Sequence, residues 1–504
     1  MDNKANISSK GISAVFWGGF GSILRALLQI ATQIVLARLL GPEEYGIFAI
    51  AMIVLTFSKF FSDIGISYGL IQKKTISDND IKFVFTWQVL LGLTVGTVVY
   101  LLAGPLSNFF NQPRVMPVIQ VASAICFINA IASPSHNLLK RELDFKSIQA
   151  ASVLGYIVGY IFVGIPLAVA GQQVWALIAA FIGSELTTLA LLYWKSRHPI
   201  GFVLWQRGDN HLIVYGSRVF LTNAVNWFLG NADRIIIGRA FPAAEVGLYS
   251  LSYNLVSSPA GTVITVIQSA LFSASARVQD DRERLRRAFL TMMGVVTLLL
   301  FPVFAGIAVA AETILQTLYG EAWLGATALL RPVSLAMPVY ILFGMATPLL
   351  WVSGQTSKEF RIQIPVAIGF VIAGAFASFF SLEAVAWMVF AMYLARAIAV
   401  LTATSRALDI SLRRLYRAMS GGIITTLITS CGIMLVDFMA RELSGIPGIW
   451  LLADVLAGVV GMALSLWMFP SLVNRHVAEL FEKIAMRLPS PTDVWLQKFL
   501  YRVS

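Results

Sequence analysis

Along this chain about fourteen apolar stretches of roughly 20 residues follow one another, separated only by short clusters of charge, Gly or Pro. Each is long enough for an α-helix to cross about 30 Å of hydrocarbon. The approximate spans are 14–38, 47–67, 83–103, 115–137, 148–170, 174–194, 213–238, 246–272, 288–310, 326–350, 362–380, 384–404, 418–438 and 449–470. In a bilayer the backbone must satisfy its own hydrogen bonds, so the expected fold class is an all-α integral membrane protein. Composition agrees: 58% of the 504 residues are hydrophobic and 12% charged, with a mean hydropathy of +0.77. The polar start MDNKANISSKG leads into an apolar run reaching Arg38, too long for a signal-peptide core and without a small-residue cleavage site. It is expected to be the first span. Cys126 and Cys431 both fall inside spans, as inert packing groups.

Basic residues give the orientation, because Lys and Arg in short loops collect on the cytoplasmic side. With the N-terminus inside, Lys73, Lys74, Lys82, Lys140, Arg141, Lys146 and the basic groups at 277–287 and 406–417 are cytoplasmic. Only Arg38, Arg114, Arg239 and Arg441 fall outside, among acidic residues such as Glu43, Glu44, Glu245 and Glu312. Both termini are therefore expected in the cytoplasm. The net charge of +11 then reports topology and contact with anionic membrane lipids. Nucleic acid is not an expected partner, since the charge is scattered over short loops.

The chain also repeats itself. Arg38 to Phe48 reads RLLGPEEYGIF and, 201 residues on, Arg239 to Tyr249 reads RAFPAAEVGLY. Arg38 falls on Arg239, Glu44 on Glu245, Gly46 on Gly247 and Phe48 on Tyr249, each time where one apolar stretch gives way to the next. A second echo follows in order: Ala132-Ser133-Pro134 matches Ala346-Thr347-Pro348, and Asp144-Phe145-Lys146 matches Glu359-Phe360-Arg361 with one residue of slip. Six spans precede the second copy, so the repeat is parallel, about an axis along the membrane normal. The expected organisation is a six-helix lobe over 1–194, a cytoplasmic linker over 195–212 and a second six-helix lobe over 213–404. Two further helices over 405–470 should pack at the periphery, and an amphipathic tail over 471–504 should lie in the inner interface or on the protein's own loops.

Ionisable residues inside spans are costly in lipid and should face a bundle interior or a wet cavity. They are Arg25, Lys59, Asp63, Glu185, Arg218, Asp233, Arg234, Arg331, Arg396 and Asp454. Within the twelve repeat-related spans the basic groups outnumber the acidic ones, which favours an anionic cargo. Span one carries Arg25, Gln29, Thr32 and Gln33 at i, i+4, i+7 and i+8, and span seven has Asn223, Asn226 and Asp233 above Arg218 and Thr222. Such stripes line a cavity or bond between helices. Asp63, Glu185 and Asp233 are candidates for holding a coupling cation. Asp63 also lies one helical turn from Lys59, where an intrahelical ion pair fits. Arg38 and Arg239 read as snorkelling helix-end residues, and Gly46 and Gly247 as tight helix starts. The four His are scattered, no His/Cys/Glu cluster has metal-ligand spacing, and no GxxxxGK[ST] loop supplies ATP chemistry. Neither an enzyme nor a cofactor is expected.

Several segments carry a family resemblance: AVFWGG, LARLLGPEEYGIFAI, FSDIGIS, LLKRELDFKSI, and NADRIIIGR followed by EVGLYSLSYNL. Together they resemble the polysaccharide transporter family of the multidrug/oligosaccharidyl-lipid/polysaccharide exporter superfamily, closest to Wzx-type flippases and colanic-acid exporter-like proteins, over most of residues 10–400. The resemblance implies two six-helix lobes forming a V. It implies movement of undecaprenyl-diphosphate-linked oligosaccharide across the bacterial inner membrane by alternating access, coupled to a proton or sodium gradient. Arg25, Arg218, Arg234, Arg331 and Arg396 become candidate headgroup ligands, since Arg suits a diphosphate, and Gln29 and Asn226 join them as candidates for the cavity lining. A polysaccharide polymerase and chain-length machinery are implied partners. A cation-coupled drug antiporter of the same superfamily and a membrane-embedded polymerase are the alternatives.

Overall fold

The computed structural model describes residues 2–62, 67, 69–73, 75–205, 227–228, 230–275, 282–352, 356–443, 445–473 and 477–479. Among them ten helices are long and apolar enough to cross a membrane. The chain is thus an all-helical, multi-span membrane protein. It forms two compact units, Met1–Ser250 and Leu251–Ser504.

The first unit begins with α1, Asp2–Ser62, whose 61 residues would reach about 90 Å if straight. It holds two helices, not one. The break is Gly41, at φ 75°, followed by Pro42. Gly enters that left-handed region without steric cost, and Pro opens the next helix where its missing N–H is harmless. Glu44, just after the break, is only 8% exposed and works as a latch. One of its carboxylate oxygens accepts from Arg114 at 2.6 Å, and the other from the Val174 N–H at 3.0 Å, which satisfies a start-of-helix donor. Glu43 takes the other arm of Arg114 at 2.7 Å.

Helix α2, Asp78–Phe109, starts from a reciprocal capping box: Ser77 accepts from the Asp80 N–H and Asp80 accepts from the Ser77 N–H. Next come α3, Val115–Ala122, and α4, Ala124–Arg141, separated at Ser123. Asp144 caps α5, Phe145–Val169, by accepting from the Ser147 N–H at 3.1 Å. Within α5, residues Ile157–Gly164 form a π-helical turn. Helix α6 is Val174–Ser196, and residues 230–240 form α7. Leu139, Ile148, Ala151 and Leu192 make one buried cluster joining α4, α5 and α6.

Helix α8, Ala243–Ser275, runs from the first unit into the second. The second unit continues with α9, Arg282–Val309; α10, Ala311–Leu318; α11, Thr327–Val352; α12, Thr356–Ala377; and α13, Leu382–Ala407. Its last long helices are α14, Leu412–Leu443, and α15, Pro447–Met468. Helix α14 packs along α9, and α15 along α14. Glycines allow this closeness: a side chain on Gly422 would run into the α9 backbone at Thr297, and one on Gly421 into the Leu472 carbonyl. Val477, at the start of the tail, is 1% exposed and packs on Leu298 and Val473. The tail beyond residue 479 lies outside the described residues.

Candidate functional site

In the first unit the polar face of α1 borders a cavity of about 360 Å³. Arg25 and Lys59 of α1, Asn129, His136 and Asn137 of α4, and Glu185 of α6 are in its wall. Two fixed positive charges thus meet one carboxylate, leaving an excess that suits an anion. The Nε of Arg25 is buried with no hydrogen-bond partner. A buried donor without an acceptor costs about 1–3 kcal/mol, so this guanidinium is poised for an acceptor that comes from outside the protein.

The π turn helps shape the wall. Gly159 and Gly164 press against Ala180 and Ser184 of α6, an approach that leaves no room for a side chain. Glu185 follows directly on α6. Tyr156 and Tyr160 stack with ring centroids 4.3 Å apart, and the charges of Arg25 and Glu185 both act on Tyr160. Tyr156 also hydrogen-bonds Thr32 of α1. Thr32, expected in the polar stripe, is therefore tied to a neighbouring helix and 4% exposed. π turns recur at functional sites because the widened ring re-aims side chains. Sequence reading missed both this turn and the α4 wall. Asn129, Ser133, His136 and Asn137 sit at i, i+4, i+7 and i+8, the same spacing that drew attention to Arg25 and its stripe.

Among the other expected site residues, Gln29 is half-buried on α1, below Gln33, whose Nε2 is buried without a partner. Asp233, 2% exposed, accepts a hydrogen bond from the Tyr249 hydroxyl at 2.6 Å. Arg234 donates to the Asn231 side chain at 3.3 Å. Arg331 is exposed on α11. Arg396 lies over the Phe343 ring at 4.5 Å, with Nε buried and unpartnered and with Tyr340, Tyr393 and Glu359 acting on its charge. Asp63, Arg218 and Asn226 lie outside the described residues. Among the described residues no group of three or more His, Cys, Asp or Glu is placed to hold a metal ion.

The two junction motifs of the repeat meet inside the first unit. A side chain on Gly46 would collide with the Ala243 carbonyl, and one on Gly247 with the Pro42 carbonyl. Pro42 and Ala243 are themselves repeat equivalents, so the contact is reciprocal, with a local twofold running between the two glycines. Arg239 lies over the Phe109 ring at 5.7 Å and faces Asn111; Arg38 is exposed on α1. A second cavity of the first unit, about 570 Å³, is almost wholly apolar and lined by residues including Phe57, Val98, Phe109 and Trp227.

Residues 35–328 match a family model described as a polysaccharide biosynthesis protein. The chain is 23% identical over 384 residues to the lipopolysaccharide biosynthesis protein WzxC of Escherichia coli (strain K12), covering 73% of this chain and 77% of that one. It is 25% identical over 334 residues to the succinoglycan biosynthesis transport protein ExoT of Rhizobium meliloti (strain 1021), covering 64% and 67%. Across the first relatives matched, the chain spans 66% to 77% of their length. Its fold is that of the lipid II flippase MurJ in an inward closed conformation, with a TM-score of 0.69, 14% identity, and 93% of this chain and 99% of that one covered.

Proposed function

This chain belongs to the polysaccharide biosynthesis protein family, and on that premise we propose that it is a flippase for an undecaprenyl-diphosphate-linked oligosaccharide in the bacterial inner membrane. The observation that carries the proposal is the polar cavity of the first unit, with the unpartnered Arg25 and with Lys59 in its wall. A diphosphate brings oxygens that accept two parallel N–H bonds from a guanidinium, and an ammonium adds a mobile point charge. Asn129 and Asn137 supply amides of the kind that hydrogen-bond sugar hydroxyls. The polyprenyl chain, about as apolar as the lipid tails, needs no polar site and stays in the bilayer or in the apolar cavity beside Phe57 and Trp227.

Transport is by alternating access, with the N-terminus and C-terminus in the cytoplasm. Glu185, in the same wall, is the carboxylate that takes up a coupling proton or sodium ion, which raises the positive excess of the cavity toward the cargo. Asp233, held by Tyr249, fits a structural role better than a coupling one. Arg396, with its unpartnered Nε, is the corresponding headgroup candidate of the second unit. The polymerase and chain-length proteins that use the delivered unit are its functional partners.

Deletion of the gene tests this reading. The expected outcome is loss of one surface polysaccharide, with its lipid-linked repeat unit trapped on the cytoplasmic leaflet and both restored by the wild-type gene. A deletion strain that makes normal polymer, or that places the lipid-linked unit outside as before, contradicts it.

A further inference from the structure

The last two long helices carry a polar arrangement that the cavity of the first unit does not explain. Helices α14 and α15 run antiparallel in a register that several contacts fix: Gly461 lies against Thr429, Gly458 against Ile433, and Trp450 under Arg441, whose guanidinium is 5.7 Å from the ring. Continuing that register sets Asp454 of α15 opposite Asp437 of α14, within hydrogen-bonding reach. Asp454 is 3% exposed, and neither of its oxygens has a hydrogen-bond partner. It lines a cavity of about 250 Å³ whose wall is otherwise apolar except for Thr429, itself 2% exposed with an unpartnered hydroxyl.

The surrounding charges make the arrangement specific. Asp437 is already engaged: one oxygen accepts from Thr313 of α10 at 2.6 Å, and the other forms an ion pair with Arg441 at 3.0 Å. Arg441 also reaches Glu312 of α10 at 3.0 Å. Helix α9 adds only Pro302, Val303, Gly306 and Ile307 to the cavity wall, none of them titratable. The buried Asp454 and the half-buried Asp437 thus lie near one arginine, which is paired with Asp437 and Glu312 and not with Asp454. A carboxylate has no hydrogen to give, so Asp454 and Asp437 repel unless something positive lies between them.

We propose that Asp437 and Asp454 form a proton-binding carboxyl pair between the two helices that lie outside the internal repeat. Asp454 takes up one proton, becomes a neutral acid, and donates its O–H to Asp437, leaving the trio of two aspartates and Arg441 without net charge. Release of the proton leaves an unpaired carboxylate in an apolar cavity and drives α15 away from α14. Proton binding and helix packing are thereby linked, whatever cargo the protein carries.

Purified full-length protein tests this by two measurements. Infrared spectra at neutral pH should show a protonated-carboxyl C=O band that Asp454→Asn removes and Glu185→Gln retains. In thermal melts, a folded state that holds a proton which the unfolded chain gives up loses stability as pH rises. The wild-type melting temperature should therefore fall as pH rises from the acidic range, where an unfolded aspartate still binds its proton, through the pH at which the folded pair lets its proton go, while Asp454→Asn, which imitates the neutral acid, should lose that slope. Asp437→Asn, which removes the repelling partner, should also abolish the band. A band unchanged by both substitutions, or identical pH profiles for wild type and Asp454→Asn, overturns the proposal. So does sodium at high pH that restores the wild-type melting temperature but not that of Asp454→Asn, since the site would then bind a metal cation.

Discussion

At the scale of the residue, Arg25 is the side chain on which the proposed transport depends most. Its half-buried position on α1, its unpartnered Nε and its place in the cavity wall give it the geometry of an anion ligand. A hydrogen bond to a charged group is worth about 1.5–3 kcal/mol, so Arg25→Ala should weaken transport on the order of 10- to 100-fold while protein levels hold. Arg25→Lys keeps the charge but not the planar fork and should fall between the two. Surface polymer measured against membrane-protein abundance separates the three. Arg25 was legible in sequence because a charge within a span demands a reason. The α4 wall was not noticed, since Asn129, Ser133 and Asn137 are uncharged and His136 read as one of four scattered histidines. Thr32 shows the opposite limit: its stripe was visible, but only coordinates reveal that its hydroxyl goes to Tyr156, 124 positions away.

Among the helices, the sharpest feature is the reciprocal contact at Gly46 and Gly247. Each glycine sits where a Cβ would enter a carbonyl of the other junction, so overpacking here forces the backbones apart. Gly46→Val and Gly247→Val should each cost about 1–3 kcal/mol, because equivalent collisions occur on both sides of the local twofold. Melting temperatures of the purified variants check this, with Gly104→Val as a control, since nothing lies within 4 Å of a Cβ built there. A small drop at the control beside large and similar drops at the two junction positions is the expected pattern. The repeat itself was readable from the aligned residues, and the break at Gly41-Pro42 from their backbone chemistry. That the two copies touch was not, because equivalence in sequence says nothing of proximity. The π turn at Ile157–Gly164 was equally silent: an apolar run reads alike whether its hydrogen bonds skip four residues or five.

At the scale of the whole molecule, apolar length carried most of the fold, because the bilayer permits so few alternatives. The expected stretches fall largely on helices where the chain is described, including the two helices joined within α1. The family match places the chain in polysaccharide biosynthesis, and the likeness to MurJ agrees with the all-helical, multi-span fold. Sugar identity is not written in this pattern, since it depends on cavity shape instead of charge. Reconstitution tests whether the protein moves a polyprenyl-diphosphate-linked oligosaccharide between leaflets. Proteoliposomes loaded with a labelled, short-chain polyprenyl-diphosphate oligosaccharide should show translocation that depends on the protein and is strongly slowed by Arg25→Ala. Movement no faster than in empty vesicles, or an undiminished rate with Arg25→Ala, would contradict the account.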